Sequence, residues 1–81
     1  MTSSRLRRLA RELTSKPDPQ GYYVLPLRPG RLPPQTLEQL ARAAGAEVEW
    51  AGDVALVRVK GRRAAIRLLE NLVKKGARPA A

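Results

Sequence analysis

A run of positive side chains lies where a predicted strand passes into a predicted helix. Arg58 and Lys60 lie on the strand. Arg62, Arg63 and Arg67 follow in the first turns of the helix. Cations at a helix N-terminus oppose the positive end of the helix dipole, at a cost of roughly 0.3–1 kcal/mol each. Free backbone N–H groups at such a terminus, together with guanidinium groups, bind phosphate and other anions. The spacing therefore predicts a phosphate-binding site, and a plain solvated surface is the alternative.

Two other basic segments extend the predicted site. One is the rigid connector after the first predicted strand, and the other is the polar side of an N-terminal helix. With them, the predicted nucleic-acid-binding residues are Arg58, Lys60, Arg62, Arg63, Arg67, Arg28, Arg31, Arg7, Arg8 and Arg11.

The charge of the whole chain is one-sided. Its 81 residues include 16 Lys and Arg but only 7 Asp and Glu, which gives a net charge of +9. Few thermolabile residues and seven prolines are typical of a thermophilic protein, and such proteins carry many charges for stability. Stabilising ion-pair networks need both signs, however, so the excess favours a polyanionic partner, with RNA preferred over DNA.

The chain lacks the residue types on which most enzyme reactions depend. The chain has no histidine and no cysteine, and its serines lie at positions 3, 4 and 15 with no base to activate them. The acidic residues are dispersed, and no glycine-rich phosphate loop is present. We therefore expect no enzymatic activity, no metal site and no cofactor.

The elements that position the junction are a β-hairpin and a helix. Residues 47–50 and 54–60 alternate as half-buried strands around a turn at residues 51–53. The preferred register places Trp50 on the same face as Val57, and a four-residue loop sets Glu47 opposite Arg58. Residues 62–75 form an amphipathic helix that ends at Gly76.

The rest of the chain supplies three more elements. We predict helices over residues 2–13 and 35–44 and a strand over residues 21–27. The fold class is α+β, a two-layer sandwich in the order α-β-α-β-β-α, with helices packed on one face of a three-stranded sheet. Its parts are a basic N-terminal helix in residues 1–16, an α/β core domain in residues 21–76 and a frayed tail in residues 77–81.

About fifty residues carry a family resemblance. A strand leads into LEQLARAAGAEV, a Gly-Asp turn and a strand closing on VRVKG follow, and AIRLLENLVKKG forms the last helix. From Leu27 to Gly76 this pattern resembles the archaeal and eukaryotic translation initiation factor one domain. That family begins with a two-stranded hairpin and a basic loop, whereas this chain has a helix and a proline loop there. The resemblance implies ribosome or RNA binding, and it transfers no contact residue.

The predicted function is RNA binding through phosphate contacts in a ribosome- or translation-associated ribonucleoprotein. One alternative is an accessory subunit or homodimer that uses the strand edge near residues 54–56 and the outward Leu56. Another is a chromatin-type DNA-binding protein. The sequence has no membrane-spanning apolar run and no secretory signal in its Arg-rich N-terminus, so we expect a cytoplasmic protein without a membrane partner.

Overall fold

A computed structural model of the chain describes residue 8 and residues 17–80. The helix predicted over residues 2–13 lies outside this part of the chain, except for Arg8, which is helical and exposed. The described elements are β1 (Tyr22–Arg28), α1 (Pro34–Ala43), β2 (Glu47–Ala51), β3 (Val54–Lys60), α2 (Arg62–Lys75) and β4 (Arg78–Pro79). No helix among these residues has the length and hydrophobicity needed to cross a membrane.

The four strands form one antiparallel sheet in the order β2-β3-β1-β4. β3 lies between β1 and β2, and β1 lies between β3 and β4, so two β-α-β units interleave. This β-α-β-β-α-β arrangement is the ferredoxin-like topology. The predicted three-stranded sheet in the order α-β-α-β-β-α is therefore wrong.

The residues after Gly76 account for the difference. They pair with β1, with Arg28 opposite Arg78 and Leu27 opposite Pro79. The amide of Ala80 also donates to the carbonyl of Pro26 at 2.9 Å. Pro79 cannot donate to a neighbouring strand, which suits its place on an edge.

The hairpin register is confirmed. Glu47 pairs with Arg58, and Trp50 pairs with Ala55 on the face that carries Val57. Ala51 and Val54 close the ladder, so the turn itself is only Gly52 and Asp53.

Both helices pack on one face of the sheet, where the strand side chains are buried. Leu25 and Leu27 of β1 and Val57 of β3 lie at the centre of this layer, with no solvent exposure. Trp50 is half-buried at its margin, and its indole N–H donates to the Glu38 carboxylate of α1 at 2.6 Å. The buried helix residues are Leu37, Ala41, Ala65, Leu68, Leu69 and Leu72.

Each helix passes into the next strand through the same Gly-Ala pair. After α1, the amide of Ala46 donates to the carbonyl of Ala41, and after α2 the amide of Ala77 donates to that of Leu72. These are the six-to-one bonds of a Schellman motif. Both Ala46 and Ala77 are buried, which anchors the start of β2 and of β4.

The connector between β1 and α1 packs against the end of α2. The amide of Arg31 donates to the carbonyl of Gly76 at 3.1 Å. A Cβ atom at Gly30 would overlap that same carbonyl oxygen. The close approach fixes one end of α2 against the first crossover of the chain.

Candidate nucleic-acid interface

Four exposed cations meet where β3 passes into α2. Lys60 ends the strand, and Arg62, Arg63 and Arg67 lie in the first turns of the helix. We call these four residues the α2 N-terminal cluster. Gly61 caps the helix without a side-chain hydrogen bond, and the first turn has no acidic residue. The positive end of the helix dipole and the cluster therefore act in the same direction.

The surface around the cluster is shaped by two shallow depressions on either side of Arg63 and Arg67. One has an aliphatic floor that includes Ala64 and Leu68, with Asn71 at its rim. The other adjoins Ile66 and Arg62. Neither depression is lined by an acidic side chain. The two guanidinium groups thus stand between apolar surfaces that are open to solvent.

None of the four cluster residues forms an ion pair with another described residue. Exposed cations that have no acidic partner among the described residues add no ion-pair stabilisation to that part of the domain. Their charge remains available to a negatively charged partner.

Arg58, also predicted as a member of this site, has partners inside the domain. Its guanidinium contacts the carboxylate of Asp18 at 3.0 Å and that of Glu47 at 3.7 Å. It also lies over the ring of Tyr22, 5.0 Å from the centroid, within the range of a cation–π contact. The hydrogen bond to Asp18 raises the pKa of Arg58. The structure therefore gives Arg58 a structural role in the sheet.

Arg28 and Arg31 lie at the opposite end of α2 from the cluster. They share a depression with Arg78 of β4 and with Asp53, which is 3.9 Å from Arg28 in an exposed ion pair. We call Arg28, Arg31 and Arg78 the connector cluster. The 14 residues of α2 span about 21 Å at 1.5 Å per residue, so the two clusters are separate surfaces. Arg7 and Arg11 lie outside the described residues.

The sheet face turned away from the helices has a different character. Its side chains come from alternate positions of the four strands, and we call it the open sheet face. Tyr22 is its one aromatic residue among those described, and Glu47 and Glu49 of β2 add negative charge along one side. The residues of this face are Tyr22, Val24, Pro26, Arg28, Glu47, Glu49, Ala51, Val54, Leu56, Arg58, Lys60 and Arg78.

Sequence reasoning missed three residues of these surfaces. The sequence pattern indicates a turn at Asp18, and nothing in the sequence links this residue to Arg58. Arg78 falls in the segment predicted to be frayed. Asn71 could have been found, because it lies four residues after Arg67 on the same side of the helix.

Comparisons of the chain with protein-family models, with curated proteins and with solved structures find no match.

Proposed function

We propose that the protein binds RNA through phosphate contacts at the α2 N-terminal cluster, as a component of a cytoplasmic, translation-associated ribonucleoprotein. The observation that supports this most is the concentration of four exposed cations, without acidic partners among the described residues, at the positive end of a helix. The resemblance to the initiation factor one domain suggested ribosome binding, and it stays part of the proposal.

The chemistry of the cluster suits a backbone of phosphates. Arg62, Arg63 and Arg67 can each offer two parallel N–H donors to phosphate oxygens, and Lys60 adds a compact charge. The aliphatic floor at Ala64 gives a ribose or a base edge an apolar surface beside the phosphate. Such contacts supply affinity and orientation but do not choose a sequence.

The helix surface is a better RNA site than the open sheet face. Four-stranded RNA-binding sheets hold two or three bases by stacking them on exposed aromatic side chains. Here Tyr22 is already covered by Arg58, and Val24 and Leu56 occupy neighbouring positions. Glu47 and Glu49 would repel phosphates. We therefore assign RNA contact to α2.

The test compares two triple variants that remove equal charge. Arg62→Ala/Arg63→Ala/Arg67→Ala removes the three arginines of the α2 N-terminal cluster and keeps Lys60. Arg28→Ala/Arg31→Ala/Arg78→Ala removes the three arginines of the connector cluster. Binding to a labelled single-stranded RNA 20-mer is measured by fluorescence anisotropy at several salt concentrations. Each phosphate contact contributes about 0.7 to the slope of log K against log salt. The first variant should lower that slope by about 2, and the second should change it by less than half as much.

Equal losses in the two variants would show that net charge, not the α2 N-terminal cluster, drives binding, and would refute the assignment. The same titration with duplex DNA and with duplex RNA decides the nucleic acid. Tighter binding to DNA than to either RNA would replace the RNA proposal with the chromatin-type one.

A further inference from the structure

An apolar patch lies at the centre of the open sheet face. Val24 and Pro26 of β1 lie beside Leu56 and Val54 of β3, with Pro26 directly opposite Leu56. Val24 is 38% exposed, and the other three are half-buried. Neither helix reaches this side, because both pack on the other face. We call these four residues the apolar patch.

The chain enters the domain at the edge of this face. The amide of Asp18 donates to the carbonyl of Tyr22 at 2.7 Å, so the backbone reverses direction between these residues. The carboxylate of Asp18 then reaches Arg58, which is on the open sheet face. Residue 17, the first of the described range 17–80, therefore precedes a turn that is held at the edge of the open sheet face, close to the apolar patch.

The sequence of residues 1–16 matches the patch in two ways. Leu6, Leu9 and Leu13 recur at the spacing of one helical face, and arginines cover the opposite side. We infer that residues 1–16 fold back as an amphipathic helix and cover the apolar patch, with the three leucines against Val24 and Leu56.

The negative charge on one side of the apolar patch favours residues 1–16 as the segment that covers it. The patch is bordered on its β2 side by Glu47 and Glu49, both exposed, and the segment carries four arginines. Glu47 already contacts Arg58 at 3.7 Å, whereas Glu49 forms no ion pair with another described residue, so an arginine at the margin of the docked helix can pair with Glu49. A nucleic acid on the same face would meet these two carboxylates as repulsive charges.

Size and tethering favour it as well. Residues 6–13 in a helix are about 12 Å long, and the seven residues of β1 span about 23 Å, so the segment fits within the face. A short tether gives the segment an effective concentration in the millimolar range, which a second copy of the protein rarely reaches in solution. We therefore prefer residues 1–16 of the same chain to a second copy of the protein as the partner that covers the apolar patch.

Introduced thiols test the contact in the full chain, because the natural sequence has no cysteine. Leu9→Cys/Leu56→Cys is treated with diamide, which oxidises two adjacent thiols to a disulfide. Arg11→Cys/Leu56→Cys is the matched control, since position 11 lies on the opposite side of the helix from position 9. The leucine pair should form an intramolecular disulfide at least ten-fold faster than the control pair, with the product migrating as a monomer.

Equal rates in the two pairs, or no disulfide in either, would overturn the inference. A disulfide that appears as a dimer and accelerates with protein concentration would assign the patch to a second copy instead. A second measurement does not depend on disulfide geometry. The thiol of Val24→Cys should react with a maleimide several-fold more slowly in the full chain than in the same chain carrying Leu9→Asp and Leu13→Asp.

Trp50 fluorescence verifies that these variants are folded, because its indole lies on the helix-bearing side of the sheet, away from the patch. Equal labelling of Val24→Cys in both backgrounds, with the fold intact, would also refute the docking. Neither measurement involves RNA, so the docking can fail while the RNA-binding proposal stands, and the converse also holds.

Discussion

Asp18 holds the start of β1 in place through one carboxylate. One oxygen accepts hydrogen bonds from the amides of Gln20 and Tyr22, and the other accepts one from Arg58. The bond from the Tyr22 amide, reinforced by that from Arg58, holds the pKa of Asp18 below its usual value of 3.8. The ionised carboxylate is therefore the form that the folded state favours.

Replacing Asp18 with Asn should destabilise the fold in a pH-dependent manner. Because the pKa of Asp18 is lowered by folding, its contribution is complete above the ordinary pKa near 4 and is lost as the pH falls through the folded value. We expect urea denaturation to show a gap between the wild type and Asp18→Asn at pH 7 that narrows below pH 4.

Asp53→Asn is the matched control, since Asp53 forms only an exposed, 3.9 Å ion pair with Arg28. Exposed pairs of this kind contribute little, so this variant should remain close to wild type at pH 7. A gap for Asp18→Asn that is as wide at pH 3 as at pH 7 would contradict the role of the ionised carboxylate.

The pairing of Asp18 with Arg58 marks a limit of sequence reasoning. The two residues are 40 positions apart, and the turn at residues 18–22 brings them together only when β1 pairs with β3. The α2 N-terminal cluster was easier to predict, because its members are neighbours in sequence. Assigning Arg58 to that cluster followed the same local logic and missed its contact with Asp18, although the hairpin register already placed Glu47 opposite Arg58.

The helices and the hairpin follow closely from local patterns. α2 was predicted over residues 62–75 and is observed as Arg62–Lys75, and β3 has its predicted bounds. β4 was missed because two residues, one of them proline, carry no alternating pattern. A usable signal was present, since Gly76-Ala77 repeats the Gly45-Ala46 pair that leads from α1 into β2.

Glycine at position 30 is required by packing as well as by backbone conformation. Gly30 and Gly52 have nearly equal φ values of +60° and +63°, so an alanine is strained to a similar degree at both. Only at Gly30 would the added Cβ overlap a backbone atom, the carbonyl oxygen of Gly76. The difference between the two positions isolates the contact between the connector and α2.

We expect Gly52→Ala to lower the free energy of unfolding by about 1 kcal/mol, the usual cost of a left-handed alanine. Gly30→Ala should lower it by about 1–3 kcal/mol more, because backbone must move to relieve the overlap. Chemical denaturation monitored by Trp50 fluorescence measures both. Similar losses in the two variants would show that the connector can move away from Gly76 at little cost.

In the described part of the domain, basic, acidic and apolar side chains share the open sheet face, since Arg28 and Lys60 of the two basic clusters belong to it beside the apolar patch. The two basic clusters lie at opposite ends of α2, while the apolar patch and the acidic side of β2 share the open sheet face. This distribution could not be predicted from composition, because it depends on the sheet order. The sheet is completed beside β1 by β4, the element that sequence patterns did not reveal.

Removing residues 78–81 should destabilise the whole domain. The truncation eliminates the paired backbone of β4 and the bond from Ala80 to Pro26, each hydrogen bond contributing about 0.5–1.5 kcal/mol. We expect a total loss of about 2 kcal/mol, measured by urea denaturation. Arg78→Ala keeps the backbone of β4 and serves as the control, with an expected change below about 0.5 kcal/mol. A truncated protein as stable as wild type would mean that three strands suffice.

The central position of β1 also constrains how the protein is made. β1 is the first of the four strands to leave the ribosome, yet both of its neighbours, β3 and β4, are synthesised after it. β1 therefore has no partner strand, and its apolar side chains have no complete core to pack in, while α1 and β2 are synthesised. Translation must proceed through β3 before β1 has any partner strand, and to Ala80 before its second edge is closed. Pauses in translation before β3 would prolong the period in which the nascent chain is open to misassociation.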